Sequence, residues 1–160
     1  MKKSVRGFTL VELLIVIAII AILAVIVSVV INPIEIMRQG RDSDRMAALA
    51  SLQQAINVAA QEATVSGAAI LCFGTTAPCH GDSFPLGVNT RSSNGSGWVK
   101  VDLSTQKTVS MPTLPVDQTN SEGLHYTYDS DGTNWEIDAV LESDKYKGKM
   151  ETDGGNNLGK

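Results

Sequence analysis

The stretch that decides the fold lies at residues 8–31 and reads FTLVELLIVIAIIAILAVIVSVVI. All but three of its 24 residues are apolar, and the exceptions are Thr9, Glu12 and Ser28. An apolar helix of about 18 residues or more is long enough to cross a bilayer, whose hydrocarbon core is about 30 Å thick. The sequence therefore predicts a membrane-anchored protein with a modest polar domain, and it argues against a soluble globule of enzyme size.

The charges around this run indicate its orientation. Lys2, Lys3 and Arg6 precede it without any acidic residue, so the positive-inside rule places the leader in the cytoplasm. The chain after Ile31 is then expected outside the cytoplasm. With 17 acidic and 13 basic residues the net charge is −4, which argues against nucleic acid as a partner bound through bulk charge.

Cys72 and Cys79 are the only two cysteines of the chain. In an oxidising compartment, a pair at this spacing predicts one disulfide that closes a small loop. A metal pair would lack nearby companions other than His80, and a redox pair usually has C-x-x-C spacing. We therefore prefer the structural disulfide over both alternatives.

The segment that leads into the apolar run is KKSVRGFTLVE at residues 2–12. It resembles the class III signal of type IV pilins and of the pseudopilins of type II secretion. The resemblance implies that a prepilin peptidase cuts between Gly7 and Phe8 and methylates Phe8 as the new N terminus. It also implies a structural subunit without enzymatic activity, which polymerises with copies of itself on an inner-membrane assembly platform and then leaves the bilayer for a periplasmic or cell-surface filament.

Glu12 places a carboxylate inside the apolar run. Such a group costs about 2.5–3.5 kcal/mol at mid-bilayer on insertion scales, so it normally needs a partner. Cleavage would create an amine at Phe8, and methylation would keep its charge. In an assembly of identical helices, we expect the carboxylate of one copy to neutralise the amine of a neighbour. The alternative is an interfacial side chain, protonated or snorkelling, with no specific partner.

Beyond the membrane run, the sequence predicts an amphipathic stalk helix. Asn32-Pro33 predicts a kink in a nearly continuous helix, because proline removes a helical hydrogen bond and restricts the residue before it. Arg41 and Asp44 are expected to pair on the polar face of the stalk. Apolar residues then recur every three or four positions, at Met46, Leu49, Leu52, Ile56, Ala59 and Ala63.

The expected domain organisation has four segments. Residues 1–7 are a cytoplasmic leader, 8–31 a transmembrane and assembly helix, 32–63 the stalk, and 64–160 a small antiparallel β domain with an acidic tail. Alternating apolar and polar residues predict strands near 99–103, 125–128 and 135–141, with a hairpin turn at 129–134 and a long connection over 66–97. The fold class is α+β, a long N-terminal helix packed on a sheet of three or four strands, which is the lollipop layout of pilins.

The acidic tail is the candidate place for a metal. Its oxygen-bearing side chains make Asp144, Asp153 and Asn156 candidate calcium ligands. Major pseudopilins hold calcium in a C-terminal loop, although their ligand pattern does not align with this tail residue by residue. The other interpretation is a solvated acidic tail without metal. We expect that no cofactor is required.

A second function stays open beside the structural subunit, namely a minor pilin at a filament tip for surface adhesion or DNA uptake. Such a binder needs a basic patch that carries aromatic side chains. The one cluster of this kind contains Lys145, Tyr146, Lys147 and Lys149, and acidic residues flank it. The two histidines, His80 and His125, have no spacing typical of a catalytic site.

Overall fold

The computed structural model describes residues 7–63, 68–108 and 111–150. The chain divides into two compact units, one up to Met37 and one from Arg38 onward. The elements follow in the order α1 (Leu10–Val30), α2 (Pro33–Glu62), α3 (Ala68–Leu71), β1 (Cys79–Asp82), β2 (Tyr126–Ser130), β3 (Trp135–Ala139) and α4 (Asp144–Lys147). The fold class is α+β, with a long apolar N-terminal helix and a small antiparallel sheet, as the sequence predicts.

Helix α1 starts with a capping box, in which the N-cap side chain and a Glu three residues later satisfy each other's backbone N–H groups. Thr9 is the N-cap residue and Glu12 is its partner. Every described side chain of α1 is exposed, so the apolar surface is bare on all sides. Within the described residues, Leu10–Ser28 is the one helical stretch long and apolar enough to cross a membrane.

The helix break predicted at Asn32-Pro33 is confirmed. Ile31 leaves the helical conformation with φ −90° and ψ 107°, and α2 begins at Pro33. Proline fits this first helical position, because its missing N–H would have no helical partner there. Asn32 Oδ1 accepts the Glu35 N–H at 3.3 Å and so caps the new helix.

The second unit is built around one apolar core, which α2 enters with one face. That face consists of Leu52, Ala55, Ile56 and Ala59, so the predicted stripe does face the core. The rest of the core comes from the end of α3, from the disulfide, from irregular segments and from β2, namely Leu71, Cys72, Cys79, Trp98, Val99, Val101, Leu103, Leu114, Tyr126 and Tyr128.

The sheet is antiparallel, in the order β1-β2-β3. Tyr128 in the central strand pairs with Gly81 of β1 and with Ile137 of β3. The predicted hairpin turn between β2 and β3 is confirmed, and Gly132 in that turn has φ 88°, a conformation that glycine adopts without steric cost.

The strand predicted at residues 99–103 is wrong. Val99, Val101 and Leu103 are fully buried, but in the described part of the chain this segment pairs only through an isolated bridge between Asn94 and Asp102. An irregular segment that crosses the core can therefore bury every second residue. Such alternation does not require a neighbouring strand with which to form hydrogen bonds.

Strand β1 lies inside the segment predicted to be a long connection. It is short, and only Cys79 and Gly81 of its four residues face inward. A Cβ on Gly81 would lie 2.0 Å from the Trp98 carbonyl oxygen, so glycine lets the crossing segment contact the strand backbone directly. Apolar periodicity could not reveal a strand whose inward residues are a cysteine and a glycine.

Candidate functional site

The Gly7–Phe8 junction predicted for cleavage precedes the helix in non-helical backbone. Phe8 is 80 % exposed, and a Cβ on Gly7 would meet no atom within 4 Å. A peptidase needs an uncrowded, non-helical peptide, and the junction has both properties. The basic leader residues 1–6 lie outside the described residues.

The Glu12 carboxylate is held at the start of α1 by Thr9. One oxygen, Oε2, accepts the Thr9 N–H at 2.8 Å and the Thr9 hydroxyl at 2.6 Å. The Glu12 N–H in turn donates to Thr9 Oγ1 at 3.3 Å. The carboxylate is exposed and belongs to a residue four positions after Phe8. Both hydrogen bonds from Thr9 go to Oε2, and Oε1 accepts none from the described residues.

The role of Thr9 was not predicted, although the sequence carries its signature. Thr9-Leu10-Val11-Glu12 fits the S/T-x-x-E pattern of a capping box directly before an apolar run. Glu12 therefore has a partner inside its own chain in addition to the partner predicted on a neighbouring copy.

The predicted disulfide between Cys72 and Cys79 is present. It joins the end of α3 to the first residue of β1, and both cysteines are buried in the core. The bond therefore attaches an irregular segment to the edge of the sheet. This agrees with a domain that folds in an oxidising compartment.

An ionic cluster centred on Arg45 was not predicted. Arg45 is 1 % exposed, and its guanidinium hydrogen-bonds to three carboxylates. Nη1 donates to Asp42 Oδ1 at 2.8 Å, Nη2 lies 2.6 Å from Glu142 Oε1, and Nε and Nη2 both donate to Asp117. Arg41 binds the same Glu142 through Nε at 2.9 Å, instead of pairing with Asp44 as expected.

Backbone groups complete this cluster. Asp42 accepts the N–H groups of Glu142 and Ser143, the latter at 2.7 Å. Asp117 Oδ1 accepts the N–H groups of Thr119 and Asn120 at 2.7 and 3.2 Å. Buried charges persist only where such partners offset the loss of hydration. The cluster thus connects α2, the segment after Leu114 and the segment before α4.

The pKa values in the cluster follow from these contacts. The hydrogen bonds from Arg41 lower the pKa of Glu142 to about 2, because they outweigh the opposing effect of burial. Burial by itself would raise the pKa of Asp42 and Asp117, but the hydrogen bonds from Arg45 and from backbone N–H groups bring both below their ordinary range. All three carboxylates are therefore charged at neutral pH.

The two histidines lie near acidic residues of the sheet. His80 Nδ1 is 2.7 Å from Asp129 Oδ1, and its Nε2 is 3.0 Å from Asp82 Oδ2. The hydrogen bond to Asp129 raises the pKa of His80, burial opposes this rise, and the hydrogen bond to Asp82 adds to it, so that the pKa lies above its ordinary value. His125 Nε2 lies 3.6 Å from Asp82 Oδ1. No nucleophile lies among these contacts.

The predicted calcium ligands are only partly covered by the structure. Asp144 is exposed at the start of α4, and its carboxylate lies 3.6 Å from Lys147 Nζ. Asp153 and Asn156 lie outside the described residues. Within residues 7–63, 68–108 and 111–150, no three histidine, cysteine or carboxylate side chains are arranged to hold a metal ion. The calcium site therefore stays a prediction.

The basic aromatic cluster proposed for a tip binder forms contacts of its own. The ammonium groups of Lys145 and Lys149 lie 5.0 and 5.3 Å from the centre of the Tyr146 ring. Cation–π contacts of this kind occupy a ring that would otherwise stack on a nucleotide base. Together with the contact between Lys147 and Asp144, they reduce what this cluster could offer to DNA.

Comparison with known protein families places the N-terminal segment. Residues 2–28 match the family model of the prokaryotic N-terminal methylation motif, which is the class III prepilin signal of type IV pilins and pseudopilins. The matched region contains the Gly7–Phe8 junction, the capping box and nearly all of α1. No curated protein and no solved structure matches the chain.

Proposed function

We propose that this chain is a structural subunit of a type IV pilus-like filament or of a type II secretion pseudopilus. In this function a prepilin peptidase cuts between Gly7 and Phe8 and methylates the amine of Phe8. The mature chain is held in the inner membrane by α1, with its second unit outside the cytoplasm. An inner-membrane assembly platform then adds it to a filament of identical copies.

The observation that carries the proposal is the combination of the methylation motif with a fully exposed apolar helix. All described side chains of α1 are exposed, and all but Glu12 and Ser28 are apolar. Such a surface has to be covered either by lipid or by protein. The same helix can therefore be stored in a bilayer and later be packed against the helices of other copies.

The two polar residues described in α1, Ser28 and Glu12, differ in whether their polar groups find all their partners within the helix. The Ser28 hydroxyl donates to the Ala24 carbonyl at 2.8 Å, so its demand is satisfied within the helix. Glu12 uses one oxygen for Thr9 and keeps a negative charge at the apolar surface. A neighbouring copy with a positive amine at Phe8 supplies the missing charge, and the interaction gains strength where water is excluded.

The proposed processing is tested by mass spectrometry of membrane-held protein from cells that contain a prepilin peptidase. The expected mature form spans residues 8–160 and carries one methyl group on Phe8. Gly7→Glu should keep the leader, because it replaces the residue at the cleavage site by a bulky charge. Ser4→Ala is the matched control in the same leader and should be processed normally. Assembled protein that begins at Met1 or Lys2 would contradict the proposal.

A further inference from the structure

The second unit exposes large apolar side chains in two places. From Arg38 onward, four such side chains among the described residues are exposed. Leu86 is 59 % and Val88 102 % exposed, and with Phe84 at 36 % they form the apolar loop, residues 84–88. The fourth, Phe73 at 45 %, lines a groove elsewhere in the domain. Surface hydrophobics concentrated in this way mark contact surfaces more often than scattered ones do.

The apolar loop is held in a fixed conformation at both ends. Before it, the fully buried Ser83 accepts the Tyr126 N–H on Oγ at 2.8 Å and donates to Asn120 Oδ1 at 3.1 Å. After it, Thr90 Oγ1 accepts the Gly87 N–H at 2.6 Å. A loop ordered before it binds loses little conformational entropy on docking.

The groove, here called the end groove, lies at the end of α2 and has a volume of about 490 Å³. Its apolar lining includes Ala59 and Ala63 of the helix end, together with Ile70 and Phe73. Residues 105–108 also line it, and Glu62 holds this segment by accepting the Lys107 N–H at 2.9 Å. The volume lies within the range of ligand pockets in proteins, about 300–1,000 Å³.

Polar groups at the two places also complement each other. Both amide atoms of Gln106, which lines the end groove, are buried without a hydrogen-bond partner among the described residues. The peptide groups of Leu86 and Val88 likewise form no hydrogen bond within the described part of the chain. A buried amide without hydrogen-bond partners costs free energy. An exposed peptide segment carries an N–H donor and a C=O acceptor, which are the two partners that the Gln106 amide lacks.

The apolar loop does not fill the end groove of its own copy. None of residues 84–88 is among the residues that line the groove, and Leu86 and Val88 stay exposed. Both surfaces are therefore uncovered within a single copy.

We infer that the occupant of the end groove is the apolar loop of a second copy of this chain. The two surfaces are different parts of the domain, so the contact is heterologous. Such a contact builds an open filament when the rotation from copy to copy does not close a ring. This contact rests on the proposed polymerisation and adds to it a second site of subunit association, between the domains outside the membrane.

Thiol cross-linking of the full chain in assembling cells tests this contact. Val88→Cys and Ala69→Cys, combined in one chain, place a thiol on the apolar loop and another at the edge of the end groove. The native cysteines are bonded to each other, so a short bismaleimide joins only the introduced ones. We expect a ladder of dimers, trimers and larger species. Each single variant should remain monomeric, and a mixture of the two should stop at dimers.

The combination of Glu122→Cys with Ala69→Cys is the matched control, because Glu122 is exposed but lies outside the apolar loop. It should give no ladder. Filaments visible by electron microscopy without the 88–69 cross-link would overturn the contact and leave the polymerisation standing. Dimers from Val88→Cys alone would also overturn it, since they require a symmetric pair. Absence of filaments from the unmodified chain would overturn both.

Discussion

Arg45 and Asp117 stand 72 residues apart in the sequence and form an ion pair whose side chains are both 1 % exposed. The same guanidinium also forms ion pairs with Asp42 and Glu142, so it contacts three carboxylates. Helix α2, the segment after Leu114 and the segment before α4 thus meet at one cation. The cluster therefore determines much of how the second unit responds to mutation and to acid.

Replacing the central cation should be strongly destabilising. Arg45→Met leaves Asp42 and Asp117 buried without their counter-charge, and a broken buried pair costs about 3–5 kcal/mol. We expect the free energy of unfolding to fall by this amount in urea titrations of the full chain in detergent. Gln54→Met, at an exposed position of the same helix, should change it by less than about 0.5 kcal/mol. Equal stability of both variants would show that the cluster contributes little.

Acid should weaken the second unit through Glu142. Its pKa is lowered to about 2 in the folded state from an ordinary value of 4.5. At pH values between these two pKa values, the folded state therefore binds fewer protons than the unfolded state. The stabilisation is complete above about pH 5 and is lost as the pH falls toward 2. Glu142→Gln should reduce this slope in unfolding experiments between pH 5 and 2, whereas Glu122→Gln at an exposed position should leave it unchanged.

His80 should give stability the opposite pH dependence. Its pKa is raised by Asp129 and Asp82, so the protonated form stabilises the fold. That contribution is complete below about pH 6.5 and is lost as the pH rises through the higher pKa of the folded state. We expect wild-type stability to decline over this interval more steeply than that of His80→Gln. Parallel curves for the two proteins would contradict the assigned contacts.

The disulfide should contribute a moderate share of stability. A closed loop of about eight residues restricts the unfolded chain by roughly 2–3 kcal/mol in the chain-entropy model. The double variant Cys72→Ser/Cys79→Ser should lose this amount, and reduction of the wild type should produce the same loss. The matched control is reduction of the double variant, which should change nothing. Free thiols in protein taken from outside the cytoplasm would contradict the predicted topology.

The parts of the fold that could be predicted depend on neighbours in the sequence. The apolar run, the break at Pro33, the core stripe of α2 and the hairpin at Gly132 each arise from residues within a few positions of one another. The disulfide was also predictable, because the chain has only two cysteines. Glu12 was singled out for its charge in an apolar context.

The Arg45 cluster could not be predicted in this way. Its partners Asp117 and Glu142 come from distant segments, and nothing in the local pattern around Arg45 distinguishes it from a surface residue of an amphipathic helix. The false strand at residues 99–103 has a related cause, since alternation records burial and does not reveal which segment lies alongside. Tertiary contacts decided both.

The central claim is that α1 assembles copies of the chain through the charge of Glu12. Glu12→Gln removes the negative charge but can keep the capping box, because Gln also serves at this position of the motif. Glu12→Ala removes both. Thr9→Val removes the cap and keeps the charge, and Ser28→Ala alters the other polar residue within α1, whose hydroxyl is satisfied within its own helix. Cleavage at Gly7 and membrane retention should survive in all four variants.

The most direct measurement is a count of filaments by electron microscopy for these variants, each first confirmed by mass spectrometry to begin at Phe8. We predict that Glu12→Gln and Glu12→Ala form few or no filaments, while Thr9→Val and Ser28→Ala form them. Filaments from both Glu12 variants in wild-type numbers would contradict the account, because the carboxylate would then have no role in joining one subunit to the next.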